Sequence, residues 1–231
     1  MENVKRLADT EIRIDEGILS SCPDCRLGCL MISDVKIVGS SSALSQEFLK
    51  LQNEVAKIYN IAELTNLPPI MAVRTMYKRL DFDPARYRPA SEALVRRVLQ
   101  HKSLYYVNSA VDASNYCSLK FLVPFGLYDR DRIEGNILYR RAHDGFYVNM
   151  GGNRVSTEGK PFLTDSQGVF GNPTSDSRRT AVSLTTRNLL SVVYAGTGTS
   201  EDELNRILDV AGDMITRYNG GFVQTRAIVG G

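Results

Sequence analysis

The spacing of the apolar residues changes at Pro124, and this change constrains the fold more than any other feature of the chain. Between Ser42 and Pro124, apolar residues recur every three or four positions, which is the period of a helix with one buried face. Beyond Pro124 they form short alternating or continuous runs that are typical of strands. Helices followed by strands, without a regular alternation of the two, predict an α+β fold in which a mostly antiparallel sheet is flanked by helices.

The same periodicities locate the individual elements. Helices are predicted from Ser42 to Asn60, from Ile70 toward Leu80, and from starts near Pro89, Ser109 and Ser200. Strands are predicted over residues 25–38, 137–141, 146–150, 189–195 and 222–229. The segment His143-Asp144-Gly145 predicts a hairpin between two of these strands. Because no linker interrupts the pattern, we expect a single domain spanning residues 1–231.

Neither a membrane span nor a signal peptide is predicted. No segment approaches the roughly 20 apolar residues that a spanning helix requires. Residues 1–15 alternate charged and apolar side chains, without the apolar stretch of a signal peptide. We therefore expect a soluble protein that remains in the cytoplasm and has no membrane partner.

Positive charge is concentrated in one part of the chain. The formal net charge is only +2, but residues 74–102 contain eight basic and three acidic residues. A cationic surface of this kind is what a phosphate backbone recognises, because binding releases condensed counterions. The candidate RNA-binding residues are Arg74, Arg86, Arg88, Arg96 and Arg97. A solvated helix face explains the same pattern equally well.

Three of the four cysteines, Cys22, Cys25 and Cys29, are closely spaced. They could hold a metal if Cys117, His101 or His143 supplied a fourth ligand. The alternation of apolar residues through the same segment favours a strand in which free cysteines pack as small hydrophobic side chains. We therefore predict neither a metal site nor another cofactor.

Two polar clusters are candidates for a functional site. Asn108, Asp112 and Asn115 are spaced by four and three residues, so they share one helix face, where they could either cap the helix or bind a ligand. The second cluster is the loop from Gly171 to Thr180, whose arginines could clamp a phosphate or carboxylate and whose hydroxyls could position a water. The simpler alternative is a solvated loop in which Asp176 pairs with an arginine. With only two histidines in the chain, a Ser-His-Asp or Cys-His hydrolase is not favoured.

At these clusters the sequence resembles a known family. The segments Asn108-Ser-Ala-Val-Asp-Ala-Ser-Asn-Tyr116, Pro124-Phe-Gly-Leu-Tyr-Asp129 and Thr185-Thr-Arg-Asn-Leu-Leu190 are similar to motifs of the B3/B4 editing domain of the phenylalanyl-tRNA synthetase beta subunit. Two further segments, Arg86-Tyr-Arg-Pro-Ala-Ser-Glu-Ala-Leu94 and Asp176-Ser-Arg-Arg-Thr180, resemble stand-alone relatives of that domain. The resemblance is strongest over residues 74–195, with residues 1–69 and 196–231 as integral extensions.

The resemblance implies a candidate hydrolase of mischarged tRNA that binds the aminoacyl end of tRNA and not DNA. It implies catalytic roles for Asp112, Ser114 and Asn115. The implied substrate-binding residues are Asn108, Gly126, Gly171, Asn172, Asp176, Ser177, Arg178 and Thr180. In this chain Gly126 stands where the family has a pocket histidine, and Val192 aligns near its pocket glutamate.

An aminoacyl ester is already activated, so orientation and oxyanion donors can supply most of the rate enhancement without a histidine base. Two other functions fit the same sequence. One is a binding module for RNA or protein that kept the fold without the reaction. The other is a hydrolase of small amino-acid esters or amides.

Overall fold

The computed structural model describes residues 4–231, so the first three residues of the expected 1–231 domain lie outside the described residues. Its helices are α1 (Glu16–Ser21), α2 (Ser42–Ile58), α3 (Pro68–Arg79), α4 (Ala90–Leu99), α5 (Ser109–Phe121) and α6 (Glu201–Asn219). Its strands are β1 (Val4–Leu7), β2 (Thr10–Ile14), β3 (Arg26–Ser33), β4 (Phe125–Asp129), β5 (Ile137–Arg141), β6 (Phe146–Val148), β7 (Arg154–Ser156), β8 (Pro161–Asp165), β9 (Gly168–Gly171), β10 (Leu189–Ala195) and β11 (Phe222–Gly230). Within this part of the chain, none of the helices is both long and apolar enough to cross a bilayer.

The strands form three sheets, which confirms the α+β architecture with mainly antiparallel pairing. A four-stranded antiparallel sheet has the order β11-β3-β10-β4, and a five-stranded sheet has the order β1-β2-β5-β8-β9. The pair β2–β5 is parallel, and β6 and β7 form a separate two-stranded sheet. Strands from both ends of the chain thus join the same sheets as strands from its middle.

The four-stranded sheet is the middle layer of the molecule. In β10, Leu189 and Val193 pack with the helices, whereas Val192 and the other alternate residues pack against the five-stranded sheet. Since successive side chains of a strand point to opposite faces, a strand covered on both faces is expected to be mainly apolar. This explains why residues 189–195 are all buried and, apart from Ser191 and the hydroxyl of Tyr194, apolar.

The hairpin predicted across His143-Asp144-Gly145 is wrong. β5 pairs with β2 and β8 instead of β6, and Ala142 exchanges backbone hydrogen bonds with residues 159 and 160 at 3.1 and 2.8 Å. β6 and β7 form their own hairpin, inserted between β5 and β8. Burial explains the choice of partner, because β5 contributes the buried Ile137 and Tyr139 to the core, whereas Phe146 and Val148 of β6 are exposed.

The three clustered cysteines are buried in the core between the two larger sheets. The Cys25 thiol contacts the Met76 sulfur at 3.8 Å, and burial raises the pKa of the Cys29 thiol above its ordinary value. Cys117 belongs to the core on the other side of the middle sheet, among the helices. These thiols therefore pack as small apolar side chains, with Cys117 in a different core cluster from the other three.

Candidate functional site

The first half of α5 faces the loop after β9 across a cavity of about 270 Å³. Polar side chains line it from both sides: Ser114 and Asn115 from α5, and Asp176, Ser177 and Thr180 from the loop. Its other walls are largely apolar and include Val107, Val111, Phe125, Leu127, Met150 and Val182. A small, mostly apolar cavity with a few converging polar groups is the usual form of a ligand site.

Two of the expected site residues, Asn108 and Asp112, do not line this cavity. Asn108 lies before the helix with φ −162°, and its side chain accepts hydrogen bonds from the next backbone N–H groups, including that of Val111 at 2.9 Å. The Asp112 carboxylate accepts hydrogen bonds from the Ser40 hydroxyl and from the backbone N–H of Val107 at 3.0 Å. Burial raises the pKa of Asp112, although these two hydrogen bonds oppose the shift. Both residues therefore cap and anchor α5, and Asp112 affects the cavity by fixing Val107 in its wall.

The loop after β9 is held in shape by its own side chains. Asn172 Oδ1 accepts hydrogen bonds from the backbone N–H groups of Thr174 and Ser175 at 2.8 and 2.7 Å. The Ser177 hydroxyl accepts one from the N–H of Arg179 at 3.2 Å and so caps a short 3₁₀ turn. Such local bonds stabilise polar segments outside regular helices and strands. Asn172 thus shapes the loop from behind the cavity.

A buried chain of hydroxyl groups leads to Asp176. The Tyr128 hydroxyl donates to Asp176 Oδ1 at 2.8 Å and lies 2.7 Å from the Tyr194 hydroxyl. Because a phenol has one proton to donate, Tyr194 must donate to Tyr128. Burial raises the pKa of Asp176 to about 7, although hydrogen bonds from Tyr128 and the Asn172 backbone act in the opposite direction. A carboxyl group that titrates near neutral pH therefore lines the cavity.

Gly126 and Gly171, two further expected site residues, make room for the Tyr128 ring instead of lining the cavity. A Cβ atom would lie 2.0 Å from the Tyr128 hydroxyl oxygen at position 126, and 2.1 Å from it at position 171. Contacts this short cannot be accommodated without moving the ring. The two glycines thus fix the position of the hydroxyl that binds Asp176.

Replacing Gly171 with alanine is expected to destabilise the protein by about 1–3 kcal/mol, because the new methyl group displaces the Tyr128 ring. The free energy of unfolding from urea titration measures this loss. Gly39→Ala is the matched control, since a Cβ at Gly39 meets no atom within 4 Å. Equal urea midpoints for the two variants would contradict the packing argument.

The remaining polar residues of the loop differ in what they offer a ligand. Arg178 is exposed, whereas Arg179 pairs with Asp165 through two contacts of 2.8 and 3.1 Å. Thr180 is fully buried, and among residues 4–231 its hydroxyl has no hydrogen-bond partner. The hydroxyls of Ser91, Tyr139 and Ser191 are unpaired in the same way and do not line this cavity, so the unpaired Thr180 hydroxyl does not by itself indicate a ligand.

The basic residues of α3 and α4 are partly engaged within the protein. Glu92 is 1% exposed, and its carboxylate is contacted by Arg74 at 2.9 Å and by Arg88 and Arg96 at 3.4 Å. Three of the five candidate RNA-binding arginines therefore surround one buried acid. Arg86 stays exposed, and Arg97 donates to the Ser103 carbonyl at 2.7 Å. The i,i+4 spacing of Arg88, Glu92 and Arg96 was visible in the sequence, whereas the contact from Arg74, 18 residues before Glu92, depends on the packing of the fold.

Tyr128, Tyr194 and Met150 contribute to the site although no pattern in the sequence predicted a role for them. Tyr128 and Tyr194 lie on the neighbouring strands β4 and β10 and are 66 residues apart in sequence, so only the tertiary fold brings their hydroxyls together. Met150 follows β6, and its backbone N–H bonds the Asp176 carbonyl at 3.2 Å. The sequence signal available for the two tyrosines was a hydroxyl within an apolar strand, which needs a partner once it is buried.

Comparisons with known proteins agree with the resemblance seen in the sequence. A family model described as "B3/4 domain" matches residues 72–221, which is more than half of the chain. The phenylalanine--tRNA ligase beta subunit of Bifidobacterium longum (strain NCC 2705) is 37% identical over 65 residues, which are 28% of this chain and 7% of that protein. The crystal structure of an N-terminal fragment of the phenylalanyl-tRNA synthetase beta subunit from Pyrococcus horikoshii aligns with a TM-score of 0.47 and 16% identity, covering 99% of this chain and 56% of that chain. The chain thus spans only part of each of these relatives.

Proposed function

Because the chain belongs to the B3/4 domain family, we propose that it hydrolyses the ester bond of mischarged aminoacyl-tRNA in the cavity beside α5. The observation that carries this proposal is the convergence of Ser114 and Asn115 with the loop residues Asp176, Ser177 and Thr180 on one cavity. A volume of about 270 Å³ suits an amino-acid side chain and its ester group but not a folded peptide. Since tRNA is charged in the cytoplasm, we propose that the protein acts there.

The proposed reaction requires positioning more than strong bases. The ester of an aminoacyl-tRNA is activated, and the neighbouring ribose hydroxyl helps to place the attacking water. The Asn115 amide and the Ser114 hydroxyl are the donors that we assign to the carbonyl oxygen as its negative charge develops. Asp176, whose pKa burial raises to about 7, faces the same space as a carboxylate at slightly alkaline pH.

The aminoacyl end of tRNA also needs a surface outside the cavity. Val107 lines the cavity and is itself exposed. Two residues earlier, the Arg97 guanidinium lies over the Tyr105 ring, 4.7 Å from its centroid. On the exposed hairpin of β6 and β7, the Arg154 guanidinium lies over the Phe146 ring, 4.1 Å from its centroid. Exposed rings paired with arginines suit the bases and phosphates of a single-stranded RNA end. We propose that these two sites, together with the exposed arginines of the 74–97 segment, hold the acceptor end.

A panel of mischarged tRNAs tests the reaction. The wild-type protein should release at least one amino acid faster than buffer alone, and Asn115→Ala should slow that release on the order of 100-fold through the loss of an oxyanion donor. Asn53→Ala, an exposed asparagine on α2, is the matched control and should keep the wild-type rate. Release at the buffer rate for every tRNA would count against hydrolysis.

A binding module without catalysis is the second candidate, and one observation favours it. Position 126, where the family has a pocket histidine, is filled by the Tyr128 ring, so no side chain fits there. This candidate predicts salt-sensitive retention of tRNA with no release of the amino acid. Cleavage of free amino-acid esters without tRNA binding would instead favour the small-ester hydrolase.

A further inference from the structure

The carboxyl group of Asp176 has no cationic partner in the described part of the chain. Among the ion pairs formed by residues 4–231, none includes Asp176. Arg179, three residues further on, is bound to Asp165 instead. The hydrogen bonds from Tyr128 and the Asn172 backbone both end on Oδ1 of Asp176. Oδ2 is therefore the oxygen that remains for a ligand.

The surroundings of Asp176 do not compensate its charge. The titratable groups around it are the phenols of Tyr77, Tyr128, Tyr147 and Tyr194, and burial raises the pKa of each, so all four are neutral near pH 7. Asp176 is partly buried, so its carboxylate is costly without a counter-charge, and the cost falls when a cation binds beside it. An unpaired acid in the wall of a cavity is thus suited to a positively charged ligand.

The cavity itself limits what that cation can be. Its apolar walls, which include Val111, Phe125 and Leu127, suit a hydrocarbon group, and its volume is about 270 Å³. The polar side chains of Ser114 and Asn115 line the same space and offer a second polar contact. A small molecule with an apolar body and one ammonium group matches these three features.

We propose that Asp176 binds the primary ammonium group of the substrate and so restricts the cavity to compounds with a free amine. The proposal rests on the aminoacyl ester function proposed above and assigns the group of the substrate that Asp176 recognises. Compounds whose amine is acylated, such as peptidyl or N-acetylated esters, lack the charge and are bulkier, so the cavity excludes them. Asp176 then selects the substrate, while Asn115 and Ser114 act on the ester.

Calorimetric titration with non-hydrolysable amides tests this proposal without tRNA and without any reaction. The probes are the amides of leucine, phenylalanine and tyrosine, their N-acetylated forms, and the amide of Nα-acetyl-lysine, in which only the side chain carries an ammonium. At least one free amide should bind about ten- to a hundredfold more tightly than its acetylated form. Tight binding of the lysine probe alone would contradict the proposed exclusion of Nα-acylated compounds.

Asp176→Asn provides the decisive comparison, because an amide oxygen can still accept the hydrogen bond from Tyr128. In this variant, free and acetylated amides should bind with similar affinity. The wild-type protein should release a proton on binding near pH 6.5, and this release should disappear in the variant. Titrations in buffers of different ionisation enthalpy measure the number of protons released. Absence of binding by every probe, or a preference for free amines that survives in Asp176→Asn, would overturn the proposal. Because the readout is binding, a failure of tRNA deacylation would leave this result unaffected, and the reverse also holds.

Discussion

At pH 8, the variant Asp176→Asn is expected to be more stable to urea than the wild-type protein. In the unfolded chain this aspartate has its ordinary pKa of 3.8, whereas burial holds the native carboxyl protonated up to about pH 7. Between these two values the native state retains a proton that the unfolded chain has lost, so native stability falls as pH rises through this range. The difference of about three pKa units corresponds to at most about 4 kcal/mol. Asparagine removes this cost because it does not ionise.

The measurement is the free energy of unfolding of both proteins at several pH values between 4 and 8. The gap should be absent near pH 4, should open as pH rises, and should level off above pH 7. Asp144→Asn is the control, since Asp144 is exposed and a surface change of this kind stays within about 0.5 kcal/mol at all pH values. A gap that does not change with pH would show that the native Asp176 carboxyl ionises like an ordinary one.

This expected result bears on function as well as stability. A residue whose replacement stabilises the fold is retained for another reason, and functional sites are where proteins keep such costs. If Asp176→Asn gains stability and also loses its preference for free amines, the same uncompensated charge explains both effects. The Tyr194–Tyr128 chain then holds the carboxyl in place without neutralising it.

The sequence predicted those features of the fold that depend on local spacing. The helix over residues 42–60 begins where predicted, after its cap at Ser41, and the strands over 137–141 and 189–195 have their predicted bounds. The short strands β1, β2 and β8 were not predicted, because the place of each in the five-stranded sheet depends on pairing and on burial against the rest of the fold. The wrong hairpin has the same cause, since partner choice depends on which strand face is buried.

For the site, the sequence located the two segments that meet but not the direction of each side chain. The residues that line the cavity include Ser114, Asn115, Asp176 and Thr180. The Asp112 carboxylate instead accepts hydrogen bonds from the Ser40 hydroxyl and the backbone N–H of Val107. Helical spacing alone places Asp112 and Asn115 on one face. Their roles differ because the Asp112 carboxylate binds the hydroxyl of Ser40, which lies in a loop about 70 residues earlier in the chain. Sequence spacing therefore gives the face of a helix but not the partner on that face.

Reversing the charge at Arg96 is expected to destabilise the protein by about 3 kcal/mol, whereas Arg86→Glu should cost less than about 1 kcal/mol. Arg96 contacts the buried Glu92 carboxylate at 3.4 Å, and a glutamate there would place two like charges one helical turn apart. Arg86 is exposed and stacks on the Tyr87 ring at 5.1 Å, so its side chain does not compensate a buried acid. Urea titration of the two variants measures the difference.

The same pair of variants separates folding from RNA binding. If the exposed arginines hold tRNA, Arg86→Glu should weaken retention on immobilised tRNA at low salt and reduce its salt dependence while the protein remains folded. Arg96→Glu would lose retention together with structure, so it cannot by itself identify an RNA contact. If the folded Arg86→Glu protein elutes from immobilised tRNA at the same salt concentration as the wild-type protein, Arg86 is not part of the RNA interface. Equal free energies of unfolding for the two variants would show that Arg96 does not stabilise the Glu92 carboxylate.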